Sequence, residues 1–484
     1  MVQIEAERRD TKNRRGAMVD RYFHVSARNS TIGREVRGGV TTFMAMAYIL
    51  LLNPIILGGP DHLGNRLAHD QLVTATALAA AVTTLAMGLI GKAPLALAAG
   101  LGVSAVLSTQ ASGAMSWPEA FGMCVIYGGV IVVLVASGLR QAVMDAIPLP
   151  LKHAITMGIG MFICLIGLKN AGFVSAGRGS LLQLGPANGA NQLAGWPVLL
   201  FCLTVLTIFV LQARKVPGAI LIGIAAGTVL AIVVNAALGL HGAAATATWG
   251  DSVPRWPGNP VALPDFGLFG QVSFGGFASA GVINGVVILF TLVLSGFFDA
   301  MGTIIGIGQT AQLTDAHGRM PGLSRALAVD GAGGMFGGLA GASGQTVFVE
   351  STSGVGEGAR TGFASVVTGV LFALMLFLTP IAGMVPGQVA AAALVVVGSM
   401  MLAQAAHIDW HDRATAIPVF LTVAMMPFTF SIAAGVGAGI VGYVVIKLGQ
   451  GRWRDPSWLM YGLAVLFTVY FALHPIELLL GLHG

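Results

Sequence analysis

Charge is what this sequence has least of. Lys, Arg, Asp and Glu make up 9% of its 484 residues, against about 25% in an ordinary soluble domain. Cysteine is scarce too: Cys124, Cys164 and Cys202 are scattered through apolar runs. An odd, dispersed set supports neither a disulfide framework nor a metal cluster. No Walker A pattern appears, so nothing points to ATP drive. Zinc-type Cys/His spacing, a nucleophile elbow and a haem motif are also missing. The N-terminus lacks the apolar core and cleavage site of a secretory signal. No Lys or Arg falls near the middle of the apolar runs, which counts against phosphorylated solutes.

What remains is a membrane composition. The chain is 55% hydrophobic, with a mean hydropathy of +0.83. Its 68 glycines suit helices that pack through small residues and helices that break. Apolar runs fall at 38–58, 71–90, 94–111, 118–138, 150–168, 196–213 and 217–240. After a Gly/Pro/Trp-rich connection at 241–277, others fall at 280–307, 324–341, 344–357, 362–383, 387–405, 415–431 and 432–449. Most approach the roughly 20 residues that cross a bilayer. A further apolar stretch, 457–474 within the C-terminal segment 450–484, reads equally as an extra span or an interfacial segment.

Residues 1–37 are polar and Arg-rich and read as a solvated cytoplasmic arm. Aromatics hardly interrupt the arm, so nucleic acid is not an expected partner. With that end inside, Lys92, Arg140, Arg214, Lys215, Arg319, Arg325, Arg360, Arg413, Lys447 and Arg452 all face the cytoplasm. Only Arg66, Lys169, Arg178 and Arg255 face the other way, as the positive-inside rule asks.

Seven runs precede the connection and seven follow it. Two odd-numbered halves of like fold lie in opposite orientations, an inverted repeat. Ile147-Pro148 is followed by Ala154 and Gly160, and Val385-Pro386 by Ala392 and Gly398, at equal spacing. The third run of each half is short and Gly-interrupted: 94–111 around Gly100 and Gly102, and 341–357. Such matched segments point to a midplane site. Thr346–Val349 is β-branched and aromatic and is expected to run extended before a half-helix near Ser351. That half-helix is expected to aim free N–H groups at the site.

Two carboxylates stand out against this background. Asp299 lies inside an apolar run, and Glu350 closes the segment Gly344–Glu350. Each costs roughly 2.5–3.5 kcal/mol to insert at bilayer depth, so a cavity role is expected. The bland alternatives are an Asp capping a broken helix beside Gly296 or Gly302, and a Glu favoured by a helix start. Ser295 and Thr303 lie four residues either side of Asp299, on the same helical face. Asp330 reads as a helix-start or interfacial residue. Lys152, His153 and Asp145 read as interfacial, and Glu357 with Arg360 as a surface pair. His407, Asp409, His411 and Asp412 have metal-like spacing but read as a solvated loop.

At these residues the chain resembles the nucleobase:cation symporter-2 family, in its AzgA-like purine permease branch. The resemblance runs through Thr41–Pro54 (TTFMAMAYILLLNP), Gly158–Gly172, Phe298–Gly306 (FDAMGTIIG) and Thr346–Gly362 (TVFVESTSGVGEGARTG). Pro418–Ile432 and Tyr443–Arg452 carry it to the end of the chain. It implies an all-α polytopic membrane protein of about 14 spans, a 7+7 inverted repeat with paired short strands in the third and tenth spans. Residues 38–138 and 280–383 would form a core domain, and 150–240 and 387–449 a gate domain. The implied activity is proton-coupled uptake of hypoxanthine, guanine or adenine across the plasma membrane, without cofactor. Homodimers are common in this fold family.

Asp299 and Glu350 match the family's base-binding and proton-coupling carboxylates, and Thr303, Phe348 and Val349 match pocket positions. Two departures bear on cargo: Ser104 stands where the branch usually has Asn, and Gly296 where it usually has Asp. The chemistry is coherent, since a carboxylate accepts from ring N–H groups and Phe348 can stack on a flat base. Three other classes stay open. They are a same-fold carrier of xanthine, uracil or another small polar solute, a membrane aspartyl protease using Asp299 and Asp330, and a channel.

Overall fold

Proline and glycine set the helix boundaries. In the computed structural model, Pro148 and Pro386 stand just before two helices as extended N-caps. Trp117–Ala136 and Trp196–Ala213 each carry Pro in the first turn, where its missing N–H costs nothing. The structure describes residues 19–138, 147–177, 182–186, 192–249, 253–310 and 322–472, without the side chains of 297–299, 301–302, 305–306 and 308–310. Arg140, Asp145, Arg178 and Arg319, placed on loops by the sequence, lie outside the described residues.

The principal helices, in order, are α1 (Ile32–Met46), α2 (Ile49–Leu57) and α3 (His69–Ala86). After strand β1 (Leu97–Ala99) come α4 (Leu101–Val106) and α5 (Trp117–Ala136). Then follow α6 (Leu149–Asn170), α7 (Trp196–Ala213) and α8 (Ala219–Ala237). The second half has α9 (Val282–Thr310), α10 (Leu323–Ala340), β2 (Gln345–Val347), α11 (Ser351–Gly356) and α12 (Gly362–Met375). It continues with α13 (Gly387–Met401), α14 (Arg413–Thr429), α15 (Ile432–Gly449) and α16 (Trp458–Phe471). Among the described residues, eight helices are long and apolar enough to cross a membrane, counting α1 and α2 as one, and four shorter ones are apolar.

Helices from both halves interleave in two groups. In the first, α1, α3 and α5 pack on α10, α11 and α12. In the second, α6, α7 and α8 pack on α13, with α14 and α15 against α6. Helix α9 touches both groups. The stretch after Arg452–Arg454 forms α16, packed on α15 and α9, with Phe467 against Phe290 at 5.8 Å between rings.

The two strands cross at the heart of the first group. They pair antiparallel, with Leu97 opposite Val347 and Ala99 opposite Gln345. Gly100 N–H to Gly344 O and Phe348 N–H to Ala96 O, both 2.9 Å, extend the pairing. The free edge of each strand is closed by a side chain. Thr84 Oγ1 on α3 accepts from Leu97 N–H at 2.9 Å, and Asp330 Oδ1 on α10 accepts from Val347 N–H at 3.1 Å. Extended backbone in an apolar interior survives only when satisfied in this way. The two caps sit at corresponding places in the halves. Asp330 is therefore buried within its helix, not at an interface.

Two further expectations are corrected. Residues 19–37 are exposed for the most part but docked on the bundle: Phe23 and Val25 are buried, and Arg28 Nη1 donates to the carbonyls of Lys92 and Arg360, both at 3.0 Å. Helix α1 starts at Ile32, because Thr31 accepts from Arg34 N–H. Glu357 pairs with Arg37 at 2.8 Å, while Arg360 Nη1 donates to the carbonyls of Val355 and Ala359.

Candidate functional site: a cavity between the two helix groups

Tyr48 fills the break between α1 and α2, and its side chain is fully buried. Its hydroxyl donates to Oε1 of Glu350 at 2.6 Å. Glu350 is the residue just before α11, half-buried where β2 turns into that helix. Both line a cavity of about 210 Å³.

The wall formed by the first helix group and α9 carries Phe348 and Val349, with Ser295 and Thr303 on α9, beside that pair. Phe348 is buried, whereas Val349 is 49% exposed, so Val349 faces the open space. Leu101 and Gly102 complete this wall from the start of α4. A side chain at 102 would collide with the Ser295 hydroxyl and press on Ile159. The opposite wall comes from the second group, through Thr156 and Ile159 on α6, Val397, Met400 and Met401 on α13, and Gln404. Among the described lining residues there is no Lys or Arg. Such a site suits a small, largely apolar ligand with N–H donors for the carboxylate.

A second cavity of about 540 Å³, lined by Thr41, Gln212, Lys215 and Glu357, also reaches Glu350. It lies at the end of the bundle that carries the N-terminal segment. At the opposite end a cavity of about 650 Å³ is lined by Arg66, His69, Asp70, Asn170 and Gln388, and Glu350 is not among its walls.

Glu350, Phe348, Val349 and Thr303 thus meet at one cavity. The Asp299 side chain lies outside the described residues. Its neighbours at four residues either side, Ser295 and Thr303, both line the cavity. Ser104 does not. It is fully buried behind the wall, where its hydroxyl donates to Asn53 Oδ1 at 2.8 Å and lies 2.8 Å from Ser343 Oγ. Gly296 is packed against Tyr127, and a Cβ there would sit 2.9 Å from the ring.

The extended segment ends at Val347, two residues early. The expected free N–H groups of the half-helix are engaged: those of Ser351, Thr352 and Ser353 bond to the carbonyls of Phe348, Val349 and Glu350. In the 407–412 loop, Asp409 accepts from His411 N–H, and Asp412 caps α14 through Ala414 N–H and the Thr415 hydroxyl.

Sequence reasoning passed over Tyr48 and Gln404 and read His153 as interfacial. Tyr48 was visible as a hydroxyl-bearing aromatic within an apolar run. Gln404 falls at the end of the run 387–405, where nothing in the sequence singles it out.

A model described as "Permease family", of the xanthine/uracil permeases, matches residues 33–437. The chain is 35% identical over 457 residues to the adenine permease AdeP of Escherichia coli (strain K12), covering 93% of this chain and 95% of that protein. It is 34% identical over 463 residues to the guanine/hypoxanthine permease PbuG of Bacillus subtilis (strain 168), covering 93% and 98%. Among solved structures, the transmembrane domain of the cyanobacterial bicarbonate transporter BicA superposes with a TM-score of 0.60 at 17% identity, covering 84% of this chain and 97% of that one. The murine anion transporter Slc26a9 in its inward-facing state gives 0.62 at 10%, covering 87% and 69%. At such low identity these two share the fold.

Proposed function

The chain belongs to the permease family of nucleobase:cation symporter-2 proteins, and on that premise we propose that it carries purine nucleobases across the plasma membrane in symport with protons. It is a multi-pass membrane transporter, not an enzyme. The observation that carries the reading is Glu350, a carboxylate in a cavity between two helix groups whose described lining residues include no Lys or Arg. A carboxylate there accepts from ring N–H groups of a neutral base, and Phe348 offers a face for stacking.

In this reading Glu350 is the chief base ligand. Asp299, placed by helical spacing between Ser295 and Thr303, is the second ligand and proton carrier. Thr303 and Val349 shape the pocket, while Ser104 and Gly296 act on cargo choice from behind it. The first helix group, with 38–138 and 280–383, moves as a core against a gate of 150–240 and 387–449, in a 14-span inverted repeat. With the N-terminus cytoplasmic, the cavity that reaches Glu350 from the Lys215 and Glu357 side opens inward.

The test is uptake of radiolabelled hypoxanthine into cells lacking their own purine carriers, at two external pH values and with a protonophore. Glu350→Ala and Asp299→Asn, checked for expression, complete it. Uptake that rises in acid, collapses with the protonophore and vanishes in both variants is the expected result. Failure to take up hypoxanthine, guanine, adenine, xanthine or uracil would overturn the nucleobase reading.

A further inference from the structure

The cavity has a second polar wall. Gln404 lines it from the second helix group, just past the end of α13. Its side-chain oxygen lies 2.9 Å from His153 Nδ1 on α6. An amide oxygen can only accept, so His153 Nδ1–H is the donor. The His153 ring is itself held flat against His407, with centroids 5.2 Å apart and planes at 19°. With its oxygen committed to the imidazole, the Gln404 amide keeps its NH₂ for the cavity.

From this arrangement we propose that Gln404 is the gate-side substrate ligand, donating a hydrogen bond to an acceptor atom on the base, and that His153 is the positioning residue that fixes which way its amide points. The inference rests on the nucleobase reading above and deepens it. Glu350 supplies an acceptor from one helix group, and Gln404 a donor from the other. A purine carries both N–H donors and ring or exocyclic acceptors, so one base can satisfy both walls at once. A base so held bridges the two groups. An amphipathic ring without an acceptor opposite Glu350 leaves the Gln404 amide unpaired.

The experiment is hypoxanthine uptake kinetics in carrier-deficient cells for the wild type, Gln404→Ala, His153→Ala and His153→Asn. Each is also challenged with analogues that weaken or lose one acceptor at a time: 6-thiohypoxanthine, which keeps N1–H, 3-deazahypoxanthine and 7-deazahypoxanthine. Gln404→Ala raises KM about tenfold, the scale of one lost hydrogen bond, while maximal uptake stays nearly constant. One analogue binds the wild type more weakly by a similar factor yet loses nothing more in Gln404→Ala. His153→Ala behaves like Gln404→Ala, and His153→Asn, which restores an N–H near Nδ1, recovers most of the affinity. An unchanged KM in Gln404→Ala, or additive losses with all three analogues, overturns the ligand role. Equal failure of His153→Asn and His153→Ala overturns the positioning role. Wild-type protein that takes up no base overturns the functional reading itself, whereas wild-type uptake indifferent to Gln404 overturns this inference alone.

Discussion

The hydroxyl of Tyr48 and the carboxylate of Glu350 stand 2.6 Å apart, joining the break between α1 and α2 to the turn before α11. The bond holds the carboxylate in one orientation at the cavity wall. A hydrogen bond to a carboxylate contributes about 1.5–3 kcal/mol. Tyr48→Phe keeps the ring in its fully buried place and removes the hydroxyl that makes that bond. Its expected effect is a KM for hypoxanthine raised by roughly ten- to a hundredfold, with normal expression. Wild-type kinetics in Tyr48→Phe would show that Glu350 needs no such support.

Asp330 separates a structural carboxylate from a functional one. Its Oδ1 accepts from Val347 N–H at 3.1 Å and closes the edge of β2. Asn keeps an acceptor oxygen there, and Ala does not. Asp330→Asn is therefore expected to support uptake near the wild-type rate. Asp330→Ala leaves a buried N–H unpaired, at a cost of about 1–3 kcal/mol, and lowers the melting temperature in detergent. Loss of uptake in a stable Asp330→Asn would instead place a titrating proton at this position.

Much of this was legible because the chain lives in an apolar solvent. Seven runs before the connection and seven after it, with positive charge biased to one end, lead to two interleaved helix groups. Gly-broken runs around Gly100 and Gly344 lead to the crossing strands. Side-chain partnerships were less legible, because periodicity says which face a residue takes and not what lies opposite. Thr84 and Asp330 cap strands from helices 13 and 17 residues away in sequence. Tyr48 and Glu350 are 302 residues apart. Arg28 read as one more arm charge, yet it donates to two backbone carbonyls at helix ends. Ser104 had the chemistry of a ligand but was met first by Asn53 and Ser343.

Asp61 gives a pH signature outside the spans. Burial pushes its carboxyl up, but hydrogen bonds from Asn65, Trp117 and Leu63 outweigh that and hold it below the usual Asp value. The backbone donors of Asn65 and Leu63 lie at 2.8 and 3.0 Å. A depressed folded value means that the stability it contributes is present above the ordinary pKa near 4 and is lost as pH falls through the folded value. The gap in melting temperature between wild type and Asp61→Ala should be widest at neutral pH and shrink only on acidification below about 4. A gap that is constant down to strongly acid pH would assign the effect to packing.

Gly160 and Gly398 hold the same offset behind Pro148 and Pro386, and they meet where α6 crosses α13. A Cβ at 160 would lie 2.9 Å from the carbonyl oxygen of Gly398, and one at 398 would lie 2.5 Å from that of Gly160. Two backbones that approach this closely have no flexible side chain to give way, so an added methyl must push the helices apart. Overpacking of this kind costs about 1–3 kcal/mol, and the crossing sits in the group proposed to stay fixed while the core moves. Gly160→Ala and Gly398→Ala are each expected to lower the melting temperature in detergent. Because both press on one contact, the double variant should lose less than the sum of the two. Full additivity would mean that each glycine is needed for a separate reason, and the close crossing would not be what the equal spacing in the two halves preserves.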